Sequence, residues 1–198
     1  MTEQKKNEMR CALQEAAIAI IAEYGLEQVT TKELTVRANT GNEVYIYRLF
    51  RNKNDLLVTT FETLDRELVD SISSHLHIMR DESFALDDRC FQIFCGVWRY
   101  ILSNWQRCSA FMQYYYSPLF PRYSAEKHRK LYEHVLQRFG RVFKPGVDVW
   151  RMLNYILDVM LTMSIKIFRG EIENTPEFER KVFEWIFRAL RPYLLWDD

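Results

Sequence analysis

Threonine hydroxyls and basic side chains are concentrated in one short stretch of a chain whose overall net charge is zero. The 198 residues carry 27 Lys and Arg against 27 Asp and Glu, so no global field draws the protein to nucleic acid or to an anionic membrane. Between Thr30 and Lys53, however, five basic residues stand against two acidic ones, a net charge of +3. The basic residues are Lys32, Arg37, Arg48, Arg51 and Lys53. Such a patch is typical of a surface that binds phosphate groups.

Thr30 and Thr31 stand at the expected start of a short helix that ends near Ala38. A threonine in that position can hold a phosphate with its hydroxyl, with free backbone amides and with the helix dipole together. The same position suits an ordinary N-cap, and one threonine can serve both purposes. Both threonines are therefore candidate phosphate contacts.

The turn-forming run from Asn39 to Asn42 leads into a second short segment, residues 43–50. Its β-branched and aromatic residues favour a strand locally, whereas the short helices expected around it favour a helix. In a helix, Asn42, Glu43 and Tyr45 lie at the end that enters a major groove. There Asn can pair with adenine, Glu can accept from cytosine and Tyr can pack on a thymine methyl. Alternatively, Glu43 only stabilises the helix start through the dipole.

Eleven aromatic residues fall within 33 positions, from Phe91 to Tyr123. The plain interpretation is a well-packed core. So many rings beside two prolines are hard to interdigitate without leaving space, and buried tyrosine hydroxyls need partners. The stretch therefore also predicts a cavity for an apolar or aromatic small molecule. The candidate lining residues are Phe91, Phe94, Trp98, Trp105, Tyr114 and Tyr115. No cofactor and no metal site is predicted.

The composition and the spacing of apolar residues predict that the candidate residues lie on α-helices or in the turns between them. Six Gly and five Pro are few for a chain of this length, and apolar residues recur at steps of three and four. The pattern predicts an all-α fold of about nine helices, in which a long helix from Asp55 to Leu76 follows three short amino-terminal helices. One helix is expected from Ser124 to about Phe143. Residues 1–54 and 55–198 are the expected domains.

Two of the later helices, over residues 148–168 and 176–190, have apolar surface to spare. They are predicted to meet a partner helix pair through Trp150, Leu157, Leu161, Phe178, Trp185 and Ile186. The alternative is that these side chains fill the core of the monomer.

The amino-terminal segment resembles the TetR family of bacterial transcriptional regulators. The resemblance rests on Ala16-Ala17, Gly25, Thr30-Thr31, Leu34, Ala38, Tyr47, Phe50, Lys53 and Leu56-Leu57. The chain departs from the family pattern at Asn39, where glycine is usual, and at Val44, where a small residue is usual. The stretch from Ala38 to Tyr47 is also one residue longer.

The resemblance implies a three-helix helix-turn-helix head joined by the long helix to a carboxyl-terminal bundle for effector binding and dimerisation. It implies that Tyr47 and Lys53 bind phosphates. The full set of expected DNA contacts is Thr30, Thr31, Asn42, Glu43, Tyr45, Tyr47, Arg48 and Lys53. It further implies a homodimer on a palindromic, double-stranded DNA operator, released by a small-molecule effector.

The function expected from these features is a cytoplasmic, effector-responsive transcriptional regulator, most simply a repressor, and not an enzyme. One alternative is a relative whose head binds a protein or a metabolite instead of DNA. A small-molecule-binding enzyme is the other, but the chain lacks the phosphate-loop, nucleophile-elbow and zinc-helix motifs. No apolar run approaches the ~20 residues of a membrane span.

The remaining reactive side chains are predicted to be structural. His75, His77, His128 and His134 are expected to be solvated, since their spacing suits no common metal site. Four cysteines lack Cys-x-x-Cys spacing and are expected to be reduced, buried thiols: Cys11, Cys90, Cys95 and Cys108.

Overall fold

The computed structural model describes residues 2–195, which contain eleven α-helices, four short 3₁₀ helices and no β-strand. The α-helices are α1 Glu3–Tyr24, α2 Thr31–Arg37, α3 Val44–Leu49, α4 Lys53–His75, α5 Leu86–Ser103, α6 Trp105–Tyr115, α7 Leu119–Tyr123, α8 Ala125–Leu131, α9 Glu133–Phe139, α10 Val149–Phe168 and α11 Pro176–Leu190. The 3₁₀ helices are Leu26–Gln28, Leu76–Arg80, Gly140–Val142 and Arg191–Tyr193. The predicted all-α class is confirmed.

The count exceeds the predicted nine because one expected helix is divided. The segment from Ser124 to Phe143 forms α8 and α9, which are separated at Tyr132. A further helix, α7, fits between Pro118 and Ser124. None of the helices within residues 2–195 is long and apolar enough to cross a bilayer.

Side-chain caps explain where several helices begin. The Thr2 hydroxyl accepts from Lys5 N at the start of α1. The side chain of Asn52 accepts from Asp55 N at 2.9 Å, which caps the first turn of α4. At α11 the hydroxyl of Thr175 accepts from Phe178 N at 3.1 Å, and Pro176 occupies the first turn, where its missing N–H costs no helical hydrogen bond.

The chain divides into two compact units. Unit one consists of Met1–Arg66 and Gln106–His128, and its core joins the buried stripe of α1 to Leu34, Ile46 and Phe61. Unit two consists of Glu67–Trp105 and Arg129–Asp198, and in it α5 packs against α10 and α11.

The prediction for the cysteines is wrong in one respect. All four are free thiols, but only Cys108 is buried. Cys90 and Cys95 are half-buried and Cys11 is exposed. Cys11 lies two positions before the buried Leu13, and therefore on the opposite side of α1.

Candidate functional site

The start of α2 brings Lys53 close to the threonine pair. Thr30 is the N-cap of α2, and its hydroxyl accepts from Glu33 N at 3.1 Å. The Lys53 ammonium donates to the carbonyl of Val29 at 2.8 Å, immediately before Thr30. Thr30 is exposed and Thr31 is half-buried. A hydroxyl, backbone amides and an ammonium group thus lie together at one end of a helix.

The turn between α2 and α3 is set by two residues with positive φ. Asn39 has a φ of 51° and Gly41 a φ of 70°. Asparagine tolerates this left-handed region better than other residues that carry a side chain. The backbone N–H of Thr40 donates to Thr35 O at 3.0 Å, which holds the turn against α2. Asn42 Oδ1 then accepts from Val44 N at 2.8 Å and so satisfies one amide at the start of α3.

Helix α3 separates a core face from a solvent face. Ile46 and Leu49 are buried, three positions apart. The solvent face carries Tyr47, which is 58% exposed, and Arg48. Both residues are expected DNA contacts. Among the other expected contacts, Asn42 and Glu43 are exposed and Tyr45 is half-buried.

Sequence reasoning missed two side chains that shape this surface. Glu23 in α1 forms an ion pair with Arg37 at 2.6 Å, so this cation is partly neutralised. Its hydrogen bond to Glu23 also raises the pKa of Arg37. Arg10, also in α1, donates to Leu49 O at 2.7 Å and stacks over the Phe50 ring, which secures the end of α3. Both partners lie outside the basic stretch, so charge counting within it could not find them.

The six predicted ligand-lining rings are divided between the two units. In unit one, Tyr114 stacks on Phe61 at a centroid distance of 4.5 Å, and Tyr115 contacts Phe120 at 4.4 Å. The Tyr114 hydroxyl is hydrogen-bonded to Ser124 Oγ at 2.9 Å, so this buried tyrosine is satisfied. These rings interdigitate as a packed core.

In unit two the other four rings lie along α5 and at the start of α6. The ring of Phe94 stacks with that of Trp98 at 5.5 Å and with that of Phe91 at 6.4 Å. Trp105 is 42% exposed and contacts Phe168 at 6.2 Å.

Unit two contains an apolar cavity of about 70 Å³. Its walls come from α5, α10 and α11, with Ile72 from α4, Phe139 from α9, and Val142, Phe143 and Leu194 from the segments outside the α-helices. Of the six predicted ligand residues, only Phe94 lines it. The cavity therefore lies among aliphatic side chains more than among the aromatic ones that composition singled out.

The prediction that His128 is solvated is wrong. His128 is 4% exposed, and its Nδ1 lies 2.8 Å from Asp65 Oδ2. The rings of Phe61, Phe111, Tyr115 and Phe120 surround the imidazole at 5.3–6.4 Å. Asp65 Oδ1 is buried without a hydrogen-bond partner among residues 2–195.

Residues 13–59 match the sequence profile described as "Bacterial regulatory proteins, tetR family". This span contains α2, α3, the turn between them and Lys53, the elements whose geometry is given above. The chain carries a TetR-family amino-terminal domain. In this TetR-family domain, Asn39 occupies the position where the resemblance expects glycine, and it keeps the left-handed backbone that glycine would favour.

Solved structures share the fold over almost the whole chain. A TetR family transcription regulator from Marinobacter aquaeolei has 16% sequence identity and a TM-score of 0.78, with 95% of this chain and 98% of that one covered. A TetR-family transcriptional regulator from Haemophilus influenzae has 21% identity and a TM-score of 0.63, with coverages of 94% and 98%. FadR from Bacillus subtilis, in complex with stearoyl-CoA, has 16% identity and a TM-score of 0.66, with coverages of 89% and 96%. No curated protein sequence matches the chain significantly.

The residues expected at a dimer interface differ in exposure. Leu157, Leu161 and Ile186 are buried within the chain itself. Trp150 and Phe178 are half-buried, and Trp185 is 48% exposed with its ring against Phe178 at 6.1 Å. Phe178 and Trp185 form an apolar surface on α11.

Proposed function

We propose that the protein is an effector-responsive transcriptional regulator whose TetR-family domain, residues 1–54, reads DNA. The observation that carries the proposal is the family match over residues 13–59 combined with the exposure of Tyr47, Arg48 and Glu43 at α3. A helix that buries one face and presents polar and aromatic side chains on the other suits insertion into a major groove.

Phosphate contacts would fix the register of the head on the duplex. The exposed hydroxyl and amides at the start of α2, the Lys53 ammonium and the Tyr47 hydroxyl are the groups proposed for this role. Asn42, Glu43, Tyr45 and Arg48 are then the side chains left to reach base edges.

The remaining parts of the proposal concern assembly and control. Residues 55–198 would bind the effector and form a homodimer, so that two heads meet a palindromic operator in the cytoplasm. A bound acyl-CoA in FadR, which has the same fold, supports a small-molecule effector. The protein would act by binding, as a repressor, and without catalysis.

The experiment is selection of duplexes by the full chain from a random double-stranded pool. The proposal expects an enriched palindrome whose binding constant falls steeply with salt concentration. Recovery of a random pool with no enriched site, at every salt concentration, would favour the alternative in which the head binds a protein or a metabolite.

A further inference from the structure

The chain end forms a short strap across unit two. Residues 191–195, here called the C-terminal strap, run antiparallel to residues 142–144, with Phe143 opposite Leu194. Lys144 N donates to Tyr193 O at 2.8 Å, and Leu195 N donates to Val142 O at 2.7 Å. The Lys144 ammonium also donates to Pro192 O at 3.0 Å.

One strap side chain points inward and lines the cavity. Leu194 is 3% exposed, whereas the strap residues on both sides of it are exposed. Val142 and Phe143, which face the strap, line the same cavity. The strap and the segment it pairs with therefore close one wall of the cavity.

That wall is not built from an α-helix. Most of the other wall residues belong to α5, α10 and α11, which pack against one another. The hydrogen bonds described above join the strap to residues 142–144, and its backbone lies at the surface. Segments with few buried contacts and exposed hydrogen bonds open at the lowest free energy.

The cavity walls admit only apolar groups. The lining residues are aliphatic or phenylalanine apart from one methionine and Cys90. Burial raises the pKa of the Cys90 thiol to about 12, so it is neutral and only a weak hydrogen-bonding group. A hydroxyl or charged group placed inside would lose its hydration without gaining a strong partner.

The volume of the cavity further limits which apolar ligands it can hold. Its volume of about 70 Å³ is half that of the roughly 150 Å³ engineered cavity that accepts benzene. A rigid ring cannot change its cross-section to suit this smaller space, whereas a flexible alkyl chain can enter in part and gains room when Leu194 turns aside.

We propose that this cavity is a binding site for an unbranched alkyl chain and that the C-terminal strap is its gate. The side chain of Leu194 acts as a plug, which fills the entrance until the alkyl chain of the ligand displaces it. The site stands on the geometry of unit two alone; only the step that makes the alkyl compound an effector rests on the proposed function.

The ligand class is tested by calorimetric titration of the full chain with 1-hexanol and with 1,6-hexanediol. The diol must bury a second hydroxyl among apolar walls, so we expect it to bind about tenfold or more weakly. Equal affinities, or no binding of hexanol at all, would overturn the proposed site.

The gate is tested through association rates with 6-bromo-1-hexanol, whose bromine quenches indole emission at short range. Trp98 is suited to report it, because its ring stacks on Phe94 in the cavity wall. Leu194→Ala should raise the association rate by about tenfold or more, since the plug is truncated. Leu195→Ala, at an exposed position of the same strap, is the matched control and should leave the rate unchanged.

A cross-link keeps the proposal testable if Leu194→Ala proves unstable. Lys144 and Tyr193 lie opposite one another beside the bridge, so Lys144→Cys with Tyr193→Cys can form a disulfide across it. The oxidised variant should bind the bromoalcohol far more slowly than the same protein after reduction, with the wild-type chain treated identically as control. Equal rates in the two redox states would assign entry to another wall.

These assays contain no DNA. A chain that binds hexanol through the strap but selects no duplex refutes the proposed function and leaves the cavity. A chain that selects a palindrome but binds no hexanol refutes the cavity and leaves the proposed function.

Discussion

The Lys53 ammonium makes a hydrogen bond within the protein and still has N–H groups that can donate to a ligand. One N–H of its ammonium goes to Val29 O, which leaves two donors beside the start of α2. We expect Lys53→Ala to weaken binding to all duplexes similarly and to lower the slope of log K against log salt by about one. Lys130→Ala, an exposed lysine on α8, is the control and should keep the slope. An unchanged slope for Lys53→Ala removes this residue from the phosphate contacts.

Asp65 and His128 form a buried polar pair in unit one, and the stability of the unit should be sensitive to the loss of either partner. His128→Leu would leave a buried carboxylate without its partner, so we expect a loss of about 3 kcal/mol in the free energy of unfolding. Asp65→Leu with His128→Leu should lose less, because both polar groups are removed together. Urea unfolding measures both. His134→Leu serves as control, since His134 is exposed and hydrogen-bonded to Ser73 Oγ. A double variant as unstable as His128→Leu would contradict this account.

Burial of His128 could not be predicted from its neighbours in sequence. Its carboxylate partner lies 63 positions away, and three of the four rings around it come from α4 and α6. Spacing within a segment reports on one helix face only. A histidine that pairs across the fold gives the same local pattern as one in solvent.

At the scale of elements, Gln113 of α6 links the end of α1 to the turn that follows. Its Nε2 donates to Ile21 O at 2.7 Å, and its Oε1 accepts from Leu26 N at 3.1 Å. Gln113→Leu leaves both backbone groups without this partner, so we expect a loss of about 1–3 kcal/mol. Hydrogen exchange at Leu26 N–H should accelerate in parallel. Gln137→Leu, at an exposed position of α9, should change neither quantity.

Helix boundaries were predictable where a capping or helix-ending residue type stands at the boundary, and they were missed where no such residue is present. Thr175 caps the start of α11, and Gly25 follows the end of α1. Both residue types have a conformational preference for these positions. The break between α8 and α9 at Tyr132 carries no glycine or proline, so periodicity runs through it. Helix α3 reads as a strand locally, and burial of Ile46 and Leu49 against the rest of unit one decides for the helix.

For the whole molecule, exposed aromatic surface on α11 is the feature that bears on assembly. Charging Leu161 or Ile186 would disrupt the monomer core, because both are buried within the chain. Trp185→Glu is the cleaner test: if Trp185 meets a partner copy, burial of an unpaired carboxylate should give monomers. Phe84→Glu is the matched control, because Phe84 is also 48% exposed and lies outside α10 and α11. Sedimentation at micromolar concentration separates the outcomes, and a Trp185→Glu variant that sediments like the wild type would place any interface elsewhere.

Unit one is assembled from two stretches with residues 67–105 between them, and this has a consequence for biosynthesis. The ribosome delivers Phe61 fifty positions before Phe111, the ring that stacks on it. At roughly 5–20 residues per second, the nascent chain exposes the apolar side of α4 for several seconds before its partner emerges. The core of unit one is thus completed late, although most of its residues are translated first. A chaperone that binds exposed apolar helices can act on α4 during this interval.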